Sequence, residues 1–147
     1  MVDQTARKDW MSLLAKAPAG VLAELWQGME DAPEFTHLRA PEIGAAMVRG
    51  RMGGTGAPFN LGEMTVTRCS LQLGCGTVGH GYVQGRDKAH AERAALVDAL
   101  MQTEAATQTD MTLLQPLRAK MASARTARAA KAAATKVDFF TMARGED

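Results

Sequence analysis

Four side chains that can bind an anion crowd the start of a predicted helix. They are Arg86, Lys88, His90 and Arg93, in a stretch that follows an apolar strand end and Gly85. Helix N-termini attract anions because their first N–H groups lack partners and the helix dipole favours negative charge. Asp87 is a good N-cap and occupies one of these N–H groups itself, which argues against a bare phosphate site. The predicted chemistry is binding of an anion or of a partner's acidic group.

The helix predicted over 87–102 carries polar residues on its apolar side. At about 100° per residue, His90 and Arg93 continue a stripe of larger apolar side chains, and polar groups on a buried stripe need partners. The favoured interpretation is that Arg93 pairs with a buried carboxylate, within the chain or across a subunit interface, while His90 donates to a backbone carbonyl. Direct catalysis is the alternative. Glu92 and Asp98, on the far side, are predicted to be ordinary surface charges.

A second candidate anion site is the glycine-rich loop RMGGTG at residues 51–56. Its candidate binding residues are Arg51, Gly53, Gly54, Thr55 and Gly56. Glycines permit positive φ and close backbone approach, and successive N–H groups can form an anion nest. No Gly-Lys-Ser/Thr ends the loop, so it is neither a Walker A loop nor a dinucleotide fingerprint. We predict binding of an anion or a partner here; the alternative is a tightly packed connector between strands.

Neither metal nor thiol chemistry is predicted. Cys69 and Cys75 cannot form a metal quartet, and His80 on the same predicted hairpin adds too little for zinc. His37 is isolated, and a lone strand histidine is more often structural than catalytic. We therefore assign no catalytic residue and no metal ligand to this sequence.

The composition is that of one globular domain. At 147 residues and 46% hydrophobic content, the chain is long enough to bury a core. No apolar run could span a bilayer and no charged-then-apolar leader opens the chain, so a cytoplasmic protein is expected. A net charge of +1 and few aromatics make no case for nucleic-acid binding by the chain as a whole.

The periodicity predicts an α+β fold, with a small antiparallel sheet, helices packed on one side of it, and a helical and extended C-terminal extension. Residues 1–147 are predicted to form a single domain, with 111–147 as a partner-binding extension. The predicted helices are 5–17, 19–29, 87–102 and a long one from Pro116 to near Lys136; the predicted extended segments are 35–39, 43–52, 63–73 and 77–83, with a tight turn at 74–76.

The predicted extension has two parts that need a partner. Its Ala-rich helix has six basic residues and no acid between 111 and 137, and Met121 is its only large apolar side chain after Leu117. Such a helix cannot bury much against its own domain. An apolar segment follows, in which Val137, Phe139, Phe140 and Met142 are predicted to form a subunit interface. Nucleic-acid binding by the basic helix is the alternative.

Three stretches resemble the PhnG family, small subunits of the bacterial carbon–phosphorus lyase core complex. They are RMGGTG at 51–56, VQGRDKAHAERAALVDALMQ at 83–102 and VDFFTMARG at 137–145. A weaker similarity includes Trp10, Met11 and Leu14. Together these stretches cover about a quarter of the chain in the right order, and the last two are long and unusual. Neither cysteine belongs to the family pattern.

The resemblance implies a role in phosphonate catabolism inside a hetero-oligomer with PhnH, PhnI and PhnJ. The implied activity of the complex replaces the adenine of ATP by an alkylphosphonate at C1 of the ribose. PhnI is the implied nucleosidase-type subunit. PhnJ is the implied radical subunit, which holds an iron–sulfur cluster and uses S-adenosylmethionine. The resemblance implies that this chain binds no cofactor alone and supports its neighbours. Neither membrane nor nucleic acid is expected as a partner; a pure scaffold is the remaining alternative.

Overall fold

The computed structural model describes residues 3–29 and 33–137. Along the sequence, helices precede and follow three consecutive strands. The elements are α1 (Gln4–Lys16), α2 (Ala19–Gln27), β1 (Phe35–Arg51), β2 (Pro58–Leu73), β3 (Val78–Gln84), α3 (Lys88–Leu100), α4 (Ala106–Thr109) and α5 (Gln115–Ala134). A 3₁₀ turn, Met52–Gly54, lies between β1 and β2, and a π-helical turn, Asp110–Leu114, joins α4 to α5. The predicted α+β class is confirmed.

The strands form one antiparallel sheet in the order β1-β2-β3. β1 pairs with β2 along its whole length, from Phe35 opposite Leu73 to Arg51 opposite Pro58. β3 is much shorter, and its pairing with β2 ends where Gln84 lies opposite Val66. The β1–β2 hairpin therefore continues well past the three-stranded part as a two-stranded ribbon.

Glycines bring α3 unusually close to β3. A Cβ atom at Gly79 would overlap the carbonyl oxygen of Ala95, and one at Gly81 would overlap the carbonyl oxygen of Ala91. Both alanines are fully buried. Because neither side of this contact carries a large side chain, the helix backbone lies almost directly on the strand.

The prediction that α3 has an exposed side with Asp98 on it is wrong. Asp98 is 0% exposed, and so are Ala91, Ala95 and Ala99 on the same side. The sheet covers this side of α3, and α1 and α2 pack against the helix elsewhere. A helix that is buried on most sides has no polar face, so the amphipathic pattern cannot show which side is exposed. Alanine does not help, because it occurs on buried and exposed faces alike.

The remaining helices complete the core over α3. Their buried apolar side chains are Trp10, Leu14, Leu22, Leu113, Leu114 and Leu117. The opposite face of the sheet, where Arg68, His80 and Tyr82 lie, is exposed. Within the described residues, no helix is both long enough and apolar enough to cross a membrane.

Most predicted elements are present, with different bounds. The extended segments predicted at 35–39 and 43–52 are one continuous strand, β1, and β2 begins at Pro58 rather than at residue 63. The stretch after Gln102, to which no element is assigned from the sequence, contains α4 and the π-helical turn. The long basic helix is present, and Leu117 is its one buried residue. The prediction that this helix buries little is therefore confirmed.

Candidate subunit interface

At the start of α3, His90 has the structural role that the sequence predicts. The Asp87 side chain accepts a hydrogen bond from the His90 N–H at 2.9 Å, which confirms Asp87 as the N-cap. The His90 ring is 2% exposed, and its Nε2 donates to the carbonyl oxygen of Leu14 at 2.9 Å. Burial lowers the pKa of this imidazole, so the neutral form is favoured. Direct contact between this ring and an anion or partner would require α1 to move away.

Arg93 does not pair with a buried carboxylate of the described residues, so the within-chain version of that prediction is wrong, whereas pairing across a subunit interface stays a prediction. The buried carboxylate near this helix is Asp98, and it binds Arg7 of α1 through two hydrogen bonds of 3.1 and 2.7 Å. Within residues 3–29 and 33–137, Arg93 has no hydrogen bond or ion pair; Arg86 and Lys88 beside it are exposed. These three cations remain candidates for binding an anion or partner, while His90 and Asp98 hold the fold together.

The glycine-rich loop lies at the tip of the long hairpin. Gly53 and Gly54 have φ angles of 59° and 83°, which confirms that glycine serves the positive-φ backbone here. Arg51 Nη1 donates to the carbonyl oxygen of Gly56 at 3.1 Å and closes the loop. A Cβ atom at Gly53 or Gly54 would have nothing within 4 Å, so both positions are open to solvent or to a partner.

The two candidate anion sites lie far apart in the structure. The loop lies at one end of the hairpin, whereas Arg86 and Arg93 lie where β3 passes into α3. Residues 58–65 of β2 have no partner on β3. At about 3.3 Å per strand residue, this places the tip roughly 26 Å beyond the end of β3.

Most of the large apolar side chains that are exposed among the described residues lie on this hairpin. We call residues 45–65 the hairpin arm, because they extend past the three-stranded sheet. Seven of the ten large apolar side chains that are exposed among the described residues lie on β1, β2 or their loop. They are Leu38, Ile43, Met47, Met52, Phe59, Leu61 and Met64, and Met52 and Leu61 are 74% and 67% exposed. Clusters of this kind mark protein interaction sites.

The hairpin arm carries apolar side chains on both faces. Met47 lies opposite Glu63, and its neighbour Ala46 lies opposite Met64. Because successive residues of a strand point to opposite faces, Met47 and Met64 lie on different sides of the ribbon. A two-stranded ribbon is marginally stable on its own in water. An arm that is apolar on both sides is therefore suited to insertion between surfaces of other subunits.

The far part of α5 is a second element without a covering surface. Met121 is partly buried, but every residue from Ala122 to Val137 is exposed, and Val137 is 66% exposed. Phe139, Phe140 and Met142, the rest of the predicted interface, lie outside the described residues. The helix therefore leaves the core near Met121, and not at Met111 where the predicted extension begins.

The thiols and the remaining histidines have local roles. Cys69 is 1% exposed, and burial raises the pKa of its thiol to about 11. Cys75 lies exposed in the β2–β3 turn. His80 is hydrogen bonded to Ser70 and His37 to Glu92, each at 2.9 Å. No set of three His, Cys, Asp or Glu side chains in the described part of the chain could hold a metal ion.

Comparison with known proteins is consistent with a chain whose exposed surfaces, on the hairpin arm and on α5, are covered by other proteins. Residues 5–145 match the model of the phosphonate metabolism protein PhnG. The chain belongs to the PhnG family. It is 47% identical over 141 residues to the alpha-D-ribose 1-methylphosphonate 5-triphosphate synthase subunit PhnG of Rhizobium meliloti (strain 1021), covering 96% of this chain and 90% of that protein. The family resemblance of the three motifs is thereby confirmed and extends over nearly the whole sequence.

Sequence reasoning missed the most extensive candidate surface, the hairpin arm. Gly44, Gly50 and Gly62 interrupt the apolar alternation on its two strands, so the arm was divided into a short strand, a loop and a later strand start. The signal that could have found it is the density of methionine and leucine around these glycines, at Met47, Met52, Leu61 and Met64. A conventional connector loop would be polar.

Proposed function

We propose that this chain is an accessory subunit of an alpha-D-ribose 1-methylphosphonate 5-triphosphate synthase, the carbon–phosphorus lyase core complex. Within it, the chain supports transfer of an alkylphosphonate to C1 of the ribose of ATP, with release of adenine. The observation that carries the proposal is the 47% identity to a subunit of that name over 96% of this chain. ATP and the phosphonate are substrates of the complex, and this chain binds no cofactor of its own.

The proposed partners are PhnI, PhnH and PhnJ, in a hetero-oligomer. PhnI supplies the nucleosidase-type chemistry, and PhnJ holds the iron–sulfur cluster and uses S-adenosylmethionine. The hairpin arm supports assembly into a hetero-oligomer because it exposes apolar side chains on both faces, as a segment inserted between other subunits does.

The proposed contribution to the reaction is positional. His90 and Asp98, two buried titratable groups of the described core, are engaged in hydrogen bonds that join α1, α3 and β3. An inserted arm can exclude water from a neighbouring site and hold the phosphonate oxygen in line with the anomeric carbon. Alignment and exclusion of water favour transfer over hydrolysis without a catalytic group from this chain.

The first experiment tests whether the arm binds the other subunits. Met47→Thr, Phe59→Thr and Leu61→Thr are combined, because threonine suits a strand and removes apolar surface. The variant is co-expressed with PhnI, PhnH and PhnJ, and assembly is measured by size-exclusion chromatography. We expect assembly to be lost while the melting temperature of the chain alone changes by less than about 2 °C. The matched control is Met111→Gln, a 59% exposed apolar residue away from the arm.

The second experiment tests the function itself. ATP and methylphosphonate are supplied to PhnI and PhnH with and without this chain, and the products are separated. With the chain present, adenine release should accompany ribose 1-methylphosphonate 5-triphosphate; without it, plain hydrolysis should dominate. Adenine release by this chain alone would contradict the accessory role, and an unchanged product ratio would favour a pure scaffold.

A further inference from the structure

A groove on the other side of the molecule from the sheet lies between α5 and the α1–α2 corner. Its volume is about 620 Å³. Its floor is apolar and consists of Leu13, Val21 and Met121, all partly buried, with Pro18 beside them. Ala122 and Ala124 of α5 also line it, and their small side chains leave room for a backbone to come close. We call this feature the basic groove, for the side chains at its rim.

Among the described residues, the rim of the groove carries only positive charge. These charged residues are Lys16, Arg118, Lys120, Arg125 and Arg128, and no described Asp or Glu lines the groove. Two of the five are paired on the outside: Arg118 with Asp110 at 3.0 Å and Lys120 with Glu24 at 3.3 Å.

Three cations of the rim have no partner among the described residues. Lys16, Arg125 and Arg128 are exposed and form no hydrogen bond or ion pair there. An apolar floor with three cations that pair with none of the described acids favours a ligand that brings both apolar groups and negative charge.

The apolar floor decides between a protein segment and a nucleic acid. Binding of single strands relies on aromatic side chains that stack on bases, and no aromatic side chain in the described part of the chain lines this groove. A duplex would contact the cations through phosphates but would leave the floor uncovered. A helix or extended segment with apolar residues on one side and Asp or Glu beside them matches both the floor and the rim.

We propose that the basic groove docks an acidic amphipathic segment of another subunit of the complex. The inference rests on the proposed function, because the partner is one of the proposed subunits. It adds a second contact, chemically different from the hairpin arm: the arm presents apolar surface, whereas the groove selects carboxylates. This docking explains why α5 is basic beyond Met121, because the first two turns after Met121 form the wall of the groove.

The decisive experiment identifies what lies in the groove of the assembled complex. A benzophenone photo-cross-linker is introduced in place of Ala122, which lines the groove, and in a control in place of Ala133 near the end of the same helix. After irradiation of the purified complex, the cross-linked peptide is identified by mass spectrometry. We expect Ala122 to yield an Asp/Glu-rich amphipathic peptide of PhnI, PhnH or PhnJ, and Ala133 not to yield it.

Charge reversal measures the contribution of the rim. Arg125→Glu and Arg128→Glu, singly, should each weaken binding of this chain to the complex of the other subunits at least tenfold, and the weakening should shrink as salt is raised. The matched control Lys131→Glu changes the same charge on the same helix outside the groove, and should stay within twofold of wild type. Circular dichroism checks that α5 is intact in all three variants.

Other outcomes would overturn the inference. Cross-links only to residues 138–147 of the same chain would make the groove a site for the chain's own end. Submicromolar binding of a 20-base-pair DNA duplex that is lost in Arg125→Glu would make it a nucleic-acid site. A complex that assembles normally with no cross-link at Ala122 leaves the proposed function standing and removes this inference alone. A complex that never assembles removes both.

Discussion

Asp98 of α3 accepts a hydrogen bond from the backbone N–H of His80 in β3, with 2.9 Å between Oδ2 and N. The side chain of Gln102, just after α3, donates to the carbonyl oxygen of Val78 in the same strand at 3.0 Å. β3 is an edge strand, and unpaired edge groups invite pairing with other chains. The side chains of Asp98 and Gln102 satisfy two of these groups, so this part of the edge is closed to such pairing.

Asp98 also joins α1 to the same point, and its replacement should strongly destabilise the fold. Arg7 and Trp10 donate to its carboxylate, Trp10 through Nε1 at 2.9 Å. Asp98→Asn keeps the size but removes the charge and half of the acceptors, which leaves buried donors unpaired. Losing one side of a buried ion pair costs about 3–5 kcal/mol. We expect a loss of this order in the free energy of unfolding, measured with urea.

Asp9→Asn is the matched control for Asp98→Asn. Asp9 is an exposed carboxylate of α1 with no hydrogen bond or ion pair among the described residues. Its replacement should change stability by less than about 0.5 kcal/mol. If both variants behave alike, Asp98 is not the joint between α1, α3 and β3.

Gly79→Ala and Gly81→Ala should each destabilise the protein by at least about 1–3 kcal/mol, the usual cost of overpacking a core. Each new methyl group would overlap a carbonyl oxygen of α3 and force the helix off the sheet. Gly44→Ala is the control, because a Cβ atom there has nothing within 4 Å and its φ is not positive. Thermal unfolding of the three variants decides the point. If Gly79→Ala has the same melting temperature as the wild type, the close approach of α3 to β3 is contradicted.

Local patterns were sufficient for the elements and for the start of α3. The Asp87 cap and the hairpin turn at residues 74–76 depend on short stretches of sequence. The apolar stripe of α3 was sufficient to predict that His90 donates to a carbonyl, but not that the acceptor is Leu14, 76 residues earlier. The burial of Asp98 could not be predicted in the same way, because its main partner, Arg7, lies 91 residues earlier in the chain. A carboxylate looks like a surface charge until tertiary packing brings a guanidinium to it.

The hairpin arm could not be predicted for a different reason. Alternation identifies a strand by its contrast between a buried and a solvated face. The arm has apolar residues on both faces and glycines between them, so that contrast is missing. Its pattern makes physical sense only if other chains cover it, and one sequence carries no record of those chains.

The tip of the arm should tolerate glycine replacements for folding but not for assembly. Gly54→Ala places a Cβ atom at a φ of 83°, which costs about 1–2 kcal/mol locally. The tip contributes no buried residue, so the melting temperature of the chain alone should fall by less than about 3 °C. Binding to the co-purified subunits, measured by isothermal titration calorimetry, should weaken about tenfold. Gly62→Ala, on the same arm without positive φ, is the control; equal binding by both variants would make the loop a mere connector.

The two thiols should react at very different rates. Hydrogen bonding to Thr77 lowers the pKa of the exposed Cys75, whereas burial raises the pKa of Cys69 to about 11. The thiolate is the reactive form, so iodoacetamide at pH 8 should modify Cys75 and spare Cys69 in the folded chain. Peptide mass spectrometry distinguishes the two. We also expect Cys75→Ser to leave activity of the complex unchanged; a large loss with the fold intact would give this thiol a role that the structure does not assign.

Stability should fall as the pH drops below the ordinary pKa of His90. Burial lowers the pKa of this imidazole below its ordinary value of 6.5; the Leu14 carbonyl and Asp87 oppose that shift, and Arg93 adds to it. The unfolded chain therefore takes up the proton at a higher pH than the folded chain does. Between the two pKa values the unfolded state binds more protons, so the free energy of unfolding decreases as pH falls, by at most about 1.4 kcal/mol per pH unit. Above pH 6.5 both states are neutral and the contribution is constant.

His90→Gln keeps an amide donor for Leu14 but cannot titrate. Urea unfolding between pH 7.5 and 5 should show a steeper loss for the wild type than for His90→Gln, whatever their stabilities at pH 7.5. Parallel curves, or an NMR titration of His90 with a midpoint above 6.5, would mean that the ring is not held neutral against α1.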